Sequence, residues 1–346
     1  MSAAFAHLPT GREPVSVGFG RRLKMAIFGA SHASEIGVEV VGFPAGVAID
    51  LARLQTFLDR RAPGRDALST PRKEADRPVF EQGLEADVTD GRPIVAVIRN
   101  ANVRSGDYES VVPRPGHADW PAWVKYGPGY SFAGGGFFSG RMTAPLCIAG
   151  GLALQLLERR GIRVSARAER IAGERDETRM REAIMRAKAE GDSVGGIIAC
   201  ETTGLPVGVG GPLFEGLEGR IAALVFGIPA VKGVEFGTGF GVAELKGSEN
   251  NDAYRLVDGR VRPVSNHAGG ILGGLSTGET LSMRVAMKPT PSIYRPQPSV
   301  DLVRRENVEL TVRGRHDPCV VLRAVPCVEA AVGFALADAL LADRLD

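Results

Sequence analysis

The chain has 346 residues, of which 44% are hydrophobic and 24% charged, the proportions of a globular protein with a substantial core. Its 42 Lys and Arg against 40 Asp and Glu leave a net charge of +2, which gives no electrostatic case for nucleic acid as a partner. The first residues lack a basic segment followed by an apolar one, and the apolar run "APLCIAGGLALQLL" is short and glycine-rich, so neither a signal peptide nor a membrane span is expected and the chain reads as cytoplasmic.

Along the chain, residues 1–18 read as a loose N-terminal extension to a single domain that takes up the rest of the 346 residues. "MAIFGAS" and "VEVVGFPAGVAI" read as strands, and "DLARLQTFLDRR" as a helix that Asp50 can cap. "PIVAVIRN" is a strand, and "TAPLCIAGGLALQLLERRG" is a buried helix ending at Gly161. "GIRVSARAERIAG" is a strand, after which Asp176 opens the helix "ETRMREAIMRAKAEG". "VGGIIACETTGLPVGVG" is either a strand pair or one strand with a long turn. "PLFEGLEGRIAALVFGI", "AVKGVEFGTGF", "LSMRVAMKPTPSI" and "VELTVRG" follow, and "CVEAAVGFALADALLADRL" closes the chain as an apolar helix. Helices and strands interleave without the even spacing of a doubly wound parallel sheet, so an α+β fold is expected. The glycine clusters "AGGGFFSG", "VGVGGP", "FGTGFG" and "HAGGILGG" fall between apolar runs and read as working turns.

The chemistry-bearing residues are mostly cationic. Arg60, Arg61 and Arg65 end one helix and enter the next turn, with Arg72 and Lys73 beyond, and Arg114, Arg141, Arg315 and Arg323 stand further on. Each alone is more often a solvated charge. Several lie beside Gly, Pro or His, and if they converge the ligand carries phosphate or several carboxylates. Of the five histidines, His32 sits in the small-residue turn "GASHAS", and His117 in the stiff "PRPGHAD", where the prolines fix φ and the glycine permits a close approach. "GRHDP" places Arg315, His316 and Asp317 side by side. No histidine pair sits at i, i+4 and no metal spacing occurs, so no metal site is expected. No G-x-S-x-G elbow is present, and "FGTGFG" misses the dinucleotide fingerprint. In "MKPTPS", Lys288, Thr290 and Ser292 can grip a phosphate group or can simply end a strand. Cys147, Cys200, Cys319 and Cys327 are widely spread and read as reduced thiols. Residue chemistry alone reaches an enzyme-like site for an anion, without a reaction type.

Taken in order, these stretches resemble the signatures of the chorismate synthase family. "FGASHA" is similar to its first histidine motif F-G-E-S-H-G, "LDRRAPG" to its arginine-rich motif, and "RPGHAD" is identical to its second histidine motif. "GGGFFSGRMTA", "IPAVKGVEFGTGF", "KGSENND", "NHAGGILGGLSTG", "KPTPSI" and "GRHDPCVVLRAVP" carry the likeness from about Phe19 to Leu341. The resemblance implies a β-α-β sandwich built on an internal pseudo-repeat, and a homotetramer. It implies a carbon–oxygen lyase that converts 5-enolpyruvylshikimate 3-phosphate to chorismate by 1,4-elimination of phosphate, in the shikimate pathway to the aromatic amino acids. It also implies reduced FMN (FMNH2) as cofactor, drawn from a flavin reductase or an NAD(P)H-dependent source.

Carried onto this sequence, the resemblance makes His32 the proton donor to the departing phosphate. It sets His117 against the flavin N1–C2=O edge and makes Asp317 the group that assists flavin N5 in removing the C6 proton. It gives the substrate to Arg61, Arg114, Arg141 and Arg315, and the flavin to Ser139, Ala230, Gly273, Lys288, Thr290, Ser292 and Arg315. The sequence departs from the family at Phe137 and Phe138, where Arg-Ser is common, and at Met142, where Glu is common. It departs also at Ala30 and Ala33 beside His32, and at Ala67, whose missing arginine Arg65 can replace. Two other readings are a divergent paralogue acting on a related cyclohexene phosphate, and a catalytically silent flavin- or anion-binding protein. Retention of His32, His117 and Asp317 together argues against the silent binder.

Overall fold

The computed structural model describes residues 16–31, 33–64, 76–100, 111–127, 133–312, 314 and 316–343. The first half opens with the strands β1 (Ser16–Phe19), β2 (Lys24–Gly29) and β3 (Glu35–Val41), then helix α1 (Leu51–Arg61). Strands β4 (Val79–Gln82), β5 (Leu84–Glu85), β6 (Val88–Thr89) and β7 (Ile94–Arg99) follow, and helices α2 (Asp119–Tyr126) and α3 (Thr143–Glu158) end this half. The second half runs β8 (Arg163–Ile171), α4 (Glu177–Ala189), β9 (Gly196–Thr203), α5 (Leu217–Phe226), β10 (Val231–Phe236) and the short α6 (Gly247–Asn250). Two hairpins come next, β11 (Tyr254–Val257) with β12 (Arg260–Pro263) and β13 (Ile271–Leu272) with β14 (Leu275–Ser276), before β15 (Leu281–Met287). A hairpin of β16 (Gln297–Asp301) and β17 (Glu306–Leu310) precedes the long α7 (Val321–Asp343).

Two antiparallel sheets result, in the orders β1-β2-β3-β7-β4 and β10-β15-β9-β8. Without β1, the first is a copy of the second: β2-β3-β7-β4 corresponds to β8-β9-β15-β10. The outer pairing of each carries a register shift, between Phe80 and Gln82 and between Val231 and Gly233. The turns agree in atomic detail. After β3, the backbone of Val47 donates to Thr89 Oγ1 at 2.9 Å, and that hydroxyl donates to the Pro44 carbonyl at 2.6 Å. After β9, Val209 donates to Ser276 Oγ at 2.9 Å, and Ser276 donates to the Pro206 carbonyl at 2.5 Å. The α+β fold and its internal pseudo-repeat are therefore present in the structure.

Helices fill the space between the sheets. α3 lies against β3 and β7, α7 lies against β8 and β9, and α1 and α5 flank them. α3 and α7 meet along their length, because a Cβ on Gly150 would lie 2.3 Å from Ala330 Cα, an approach only glycine allows. Gly333 meets Leu154, so the two helices run in the same direction. One continuous apolar core extends through both halves. The buried carboxylate of Asp338 in α7 accepts from the backbone amides of Arg21, Arg22 and Leu23 and from Arg220, fixing the β1–β2 connection to the core.

Some expected elements differ. The strand read through "VEVVGFPAGVAI" stops at Val41, since Gly42 and Gly46 take positive φ and turn the chain. "VGGIIACETTGLPVGVG" is one strand with a long turn. The last helix begins at Val321, six residues before the expected Cys327, and carries Pro326 inside it. Pro326 removes one i→i−4 bond near the helix start, a loss offset by near-complete burial of the residues around it. By length and composition α3, with its lead-in from Gly140, and α7 could each cross a membrane, but 83% and 94% of their apolar windows are buried inside the molecule. Ser16–Phe19, partly within the expected N-terminal extension, form β1.

Candidate active site

A cavity of about 790 Å³ opens where the N-termini of α3 and α7 meet the C-terminal ends of α1 and α5. It lies on the seam of the pseudo-repeat, since α1 and α5, and α3 and α7, are equivalent pairs. Two parallel helices thus direct their positive dipole ends toward one space, which favours an anion there.

The cavity gathers Arg61, Arg114, His117, Ser139, Arg141, Ala230, Lys288, Thr290, Ser292 and Asp317, residues separated by up to 256 positions in the chain. Gly273 does not join them. It sits in the β13–β14 turn, at φ 60, away from the cavity wall. His32 and Arg315 lie outside the described residues, as do Arg65 and Ala67.

The floor is a network on one carboxylate. Arg61, 2% exposed, gives Nε and Nη2 to Asp76 Oδ2 at 3.0 and 2.6 Å, and Nη1 to Thr143 Oγ1 at 3.1 Å and the Gly140 carbonyl at 3.3 Å. Arg141 takes the other oxygen, Oδ1, of Asp76 and points its remaining face at Asn100 Oδ1, 3.3–3.4 Å away. Burial alone would push the Asp76 carboxyl up, but the two guanidiniums outweigh it and hold it below the usual carboxylate range. Two guanidiniums thus converge on one carboxylate at the cavity. Next to them, Arg323 pairs with Asp317 and donates from Nε to the Arg61 carbonyl at 2.9 Å, and burial lowers its pKa. Asp317 is thus tied to an arginine at the cavity wall. Neighbouring His316 contacts the ring of Tyr294 at 5.2 Å.

The opposite wall is built by "RPGHAD". Asp119, the first residue of α2, accepts from His117 Nδ1 at 2.5 Å and from Arg114 Nε and Nη2 at 2.7 and 2.9 Å. Burial raises its pKa, but the hydrogen bonds from Arg114 and His117 bring it well below the usual range. Lys288, at the end of β15, donates to the Gly116 carbonyl. Burial and nearby Lys232 lower its pKa. Gly134, Gly135 and Gly136 all take positive φ, and a Cβ on Gly135 would meet His117 Nε2 at 3.1 Å, so "AGGGFF" covers the histidine closely. Phe137 and Phe138 line the same wall with Ile27 and Ile228.

Asp76 was not foreseen from the sequence. It sits in no motif, and its only signal is a carboxylate following a run of arginines. The apolar and backbone wall from Phe226 to Pro229 was missed for a similar reason, because it comes from the pseudo-repeat partner of the α1 end.

The chorismate synthase family profile matches residues 23–341. The chain is 47% identical to a chorismate synthase of Lancefieldella parvula, over 93% of this chain and 95% of that protein. It is 45% identical to one of Korarchaeum cryptofilum, over 93% and 97%, and 45% identical to one of Thermococcus kodakarensis, over 94% and 98%. A crystal structure of chorismate synthase superposes with a TM-score of 0.72 at 23% identity, covering 94% of this chain and 93% of that one, which shows the shared fold. The chain belongs to the chorismate synthase family and is a lyase of that kind, acting in aromatic amino acid biosynthesis.

Proposed function

We propose that the cavity between the α3 and α7 N-termini is where this enzyme removes phosphate from 5-enolpyruvylshikimate 3-phosphate. The observation that carries this reading is the Arg61–Asp76–Arg141 network. Its two guanidiniums at the cavity, with two helix dipoles and Lys288, support a bound phosphate or carboxylate, and charge-assisted hydrogen bonds of this kind are the strong ones. Arg141 presents the guanidinium, and Arg61, whose Nε, Nη1 and Nη2 are all engaged, fixes Asp76 beneath it. Arg114 supplies a second cation, and Arg315 is assigned to the same task from its motif.

The residues present fit a flavin. Thr290 Oγ1 is buried without a hydrogen-bond partner, beside the Lys288 ammonium and Ser292, while Phe137, Phe138, Ile27 and Ile228 offer an apolar face. Lys288, Thr290, Ser292, Ser139 and Ala230 would hold reduced FMN, which when bound supplies electron density to the allylic C–O bond being broken. Gly273 is left without a role in this chain's cavity. His117, its Nδ1 proton held by Asp119, keeps Nε2 toward the cavity and can exchange a proton there. Asp317 is the proposed base for the ring C–H proton, held in place by its ion pair with Arg323. His32 is the proposed donor to the leaving phosphate.

We further infer a cytoplasmic homotetramer that draws reduced flavin from a reductase or an NAD(P)H-dependent source. Complementation tests the function: the gene should restore growth without aromatic amino acids to a strain lacking chorismate synthase. Soluble expression without growth, with reduced flavin supplied by the host, would refute it.

A further inference from the structure

Beneath the guanidiniums, one thiol lines the cavity and a second lies directly behind it. Cys147 lies in the second turn of α3 and Cys327 near the start of α7, and the parallel course of those helices brings their Sγ atoms to 3.7 Å. Both are buried, yet Cys327 lines the cavity, and it also borders Thr143 and Arg323, the side chains that frame the anion site.

We propose that Cys147 and Cys327 are a peroxide-reactive dithiol, which a hydroperoxide small enough to enter the cavity converts to a disulfide joining α3 to α7. The two cysteines are unequal. The hydrogen bond from Cys147, with Arg61, Thr143 and Arg323 nearby, lowers the Cys327 thiol despite its burial. Burial holds Cys147 in its protonated form. Cys327 lines the cavity and Cys147 lies behind it, so Cys327 is the nucleophile and Cys147 the resolving thiol.

With hydrogen peroxide, the Cys327 thiolate attacks one oxygen. The O–O bond breaks, Cys327 becomes a sulfenic acid, and the departing hydroxide is protonated to water. Cys147 sulfur then attacks the sulfenic sulfur, the S–O bond breaks, and a second water leaves with the Cys147 proton. Two thiols are oxidised by two electrons in all, and one peroxide is reduced to two waters. The sulfurs must close from 3.7 Å to about 2.05 Å, and helices already in contact at Gly150 and Ala330 place that within side-chain rotation. Neither Cys200 on β9 nor Cys319 lines the cavity, and burial pushes the Cys200 thiol well up and the Cys319 thiol up to about 11.

The inference does not depend on the lyase reading, and its test does not use activity. Folded full-length protein is treated with stoichiometric hydrogen peroxide, alkylated after denaturation and digested for peptide mass spectrometry. The expected product is a linked Cys147–Cys327 peptide pair, reversed by dithiothreitol, with Cys200 and Cys319 still alkylated. In Cys147→Ser, whose folding is checked by its melting temperature, dimedone should trap the Cys327 sulfenic acid. Wild-type Cys147 and Cys327 that both stay free, or a disulfide to Cys200 or Cys319, would overturn the proposal. Dimedone labelling at Cys147 in a folded Cys327→Ser variant, with none at Cys327 in Cys147→Ser, would overturn the assigned roles.

Discussion

Asp119 holds His117 through a 2.5 Å contact between Oδ1 and Nδ1, and the same carboxylate clamps Arg114 by accepting three further hydrogen bonds, from its backbone amide, Nε and Nη2. One buried anion thereby sets the orientation of both the histidine and the arginine on that wall. Asp119→Asn keeps the shape and removes the charge, so the His117 ring is no longer restricted to the Nδ1–H tautomer. We expect kcat to fall roughly 100-fold, the low end of the 10²–10⁴ range for a positioned proton-transfer group. The ¹⁵N NMR signals of His117 should report a mixture of tautomers. Unchanged tautomer signals with an unchanged kcat would show that Asp119 only starts α2.

Asp76 serves the cavity floor in the same way. Asp76→Ala leaves two buried guanidiniums without their anion, and breaking such a pair by removing one partner costs about 3–5 kcal/mol. Urea denaturation should show that loss. Asp76→Asn should lose less, because its amide oxygen still accepts from one arginine.

The same carboxylates predict the acid response. The pKa values of Asp76 and Asp119 are depressed in the folded protein relative to the unfolded chain, so their contribution to stability is complete above the ordinary carboxylate range, near pH 4. It is lost as pH falls toward the folded values. Denaturation midpoints measured from pH 6 down to pH 3 should therefore fall, and fall less steeply for Asp76→Asn. A midpoint that rises in acid would contradict the two networks.

Lys288 should lose its proton at a lower pH than a free lysine, because burial and Lys232 both disfavour its charge. Affinity for inorganic phosphate or FMN should then weaken as pH rises, before an ordinary lysine near pH 10.4 would titrate. Lys232→Ala should move that weakening to higher pH, and Lys288→Met should remove it. Calorimetric titration across pH 7–10 checks all three.

Gly135 is held at φ 81 with His117 Nε2 3.1 Å from where a Cβ would lie. Gly135→Ala places a methyl on the histidine in a backbone conformation costing about 1–3 kcal/mol for a residue with a side chain. Turnover should drop with only modest change in melting temperature, and a wild-type rate would show that "AGGGFF" does not cover the site.

What the sequence made legible followed motif and period. α1, α3, α4 and β7 were readable because caps and apolar runs announce them, and ten of the expected site residues do meet in one cavity. Short edge pieces such as β5, β6, β13 and β14 escaped, since two-residue strands leave no periodic signal. Pro326 hid the start of α7, because a proline normally argues for a helix boundary. The pseudo-repeat was implied only by the resemblance. Its clearest trace in the residues is the pair "GFPAGV" and "GLPVGV", whose meaning becomes plain once Thr89 and Ser276 are seen making the same two hydrogen bonds. Asp76 stayed invisible because its function lies in its neighbours in space.

In the proposed mechanism the Arg141 guanidinium, fixed by Asp76 at the α3 N-terminus, holds the anionic substrate while phosphate departs. An anaerobic single-turnover assay with 5-enolpyruvylshikimate 3-phosphate and reduced FMN tests it directly, comparing wild type with Arg141→Ala. Chorismate and phosphate should appear in equal amounts with wild type. The folded variant should react roughly tenfold to 150-fold more slowly at subsaturating substrate, the equivalent of about 1.5–3 kcal/mol for a lost charged hydrogen bond. A folded wild-type protein that releases no phosphate, or an Arg141→Ala variant that reacts at the wild-type rate, would contradict it.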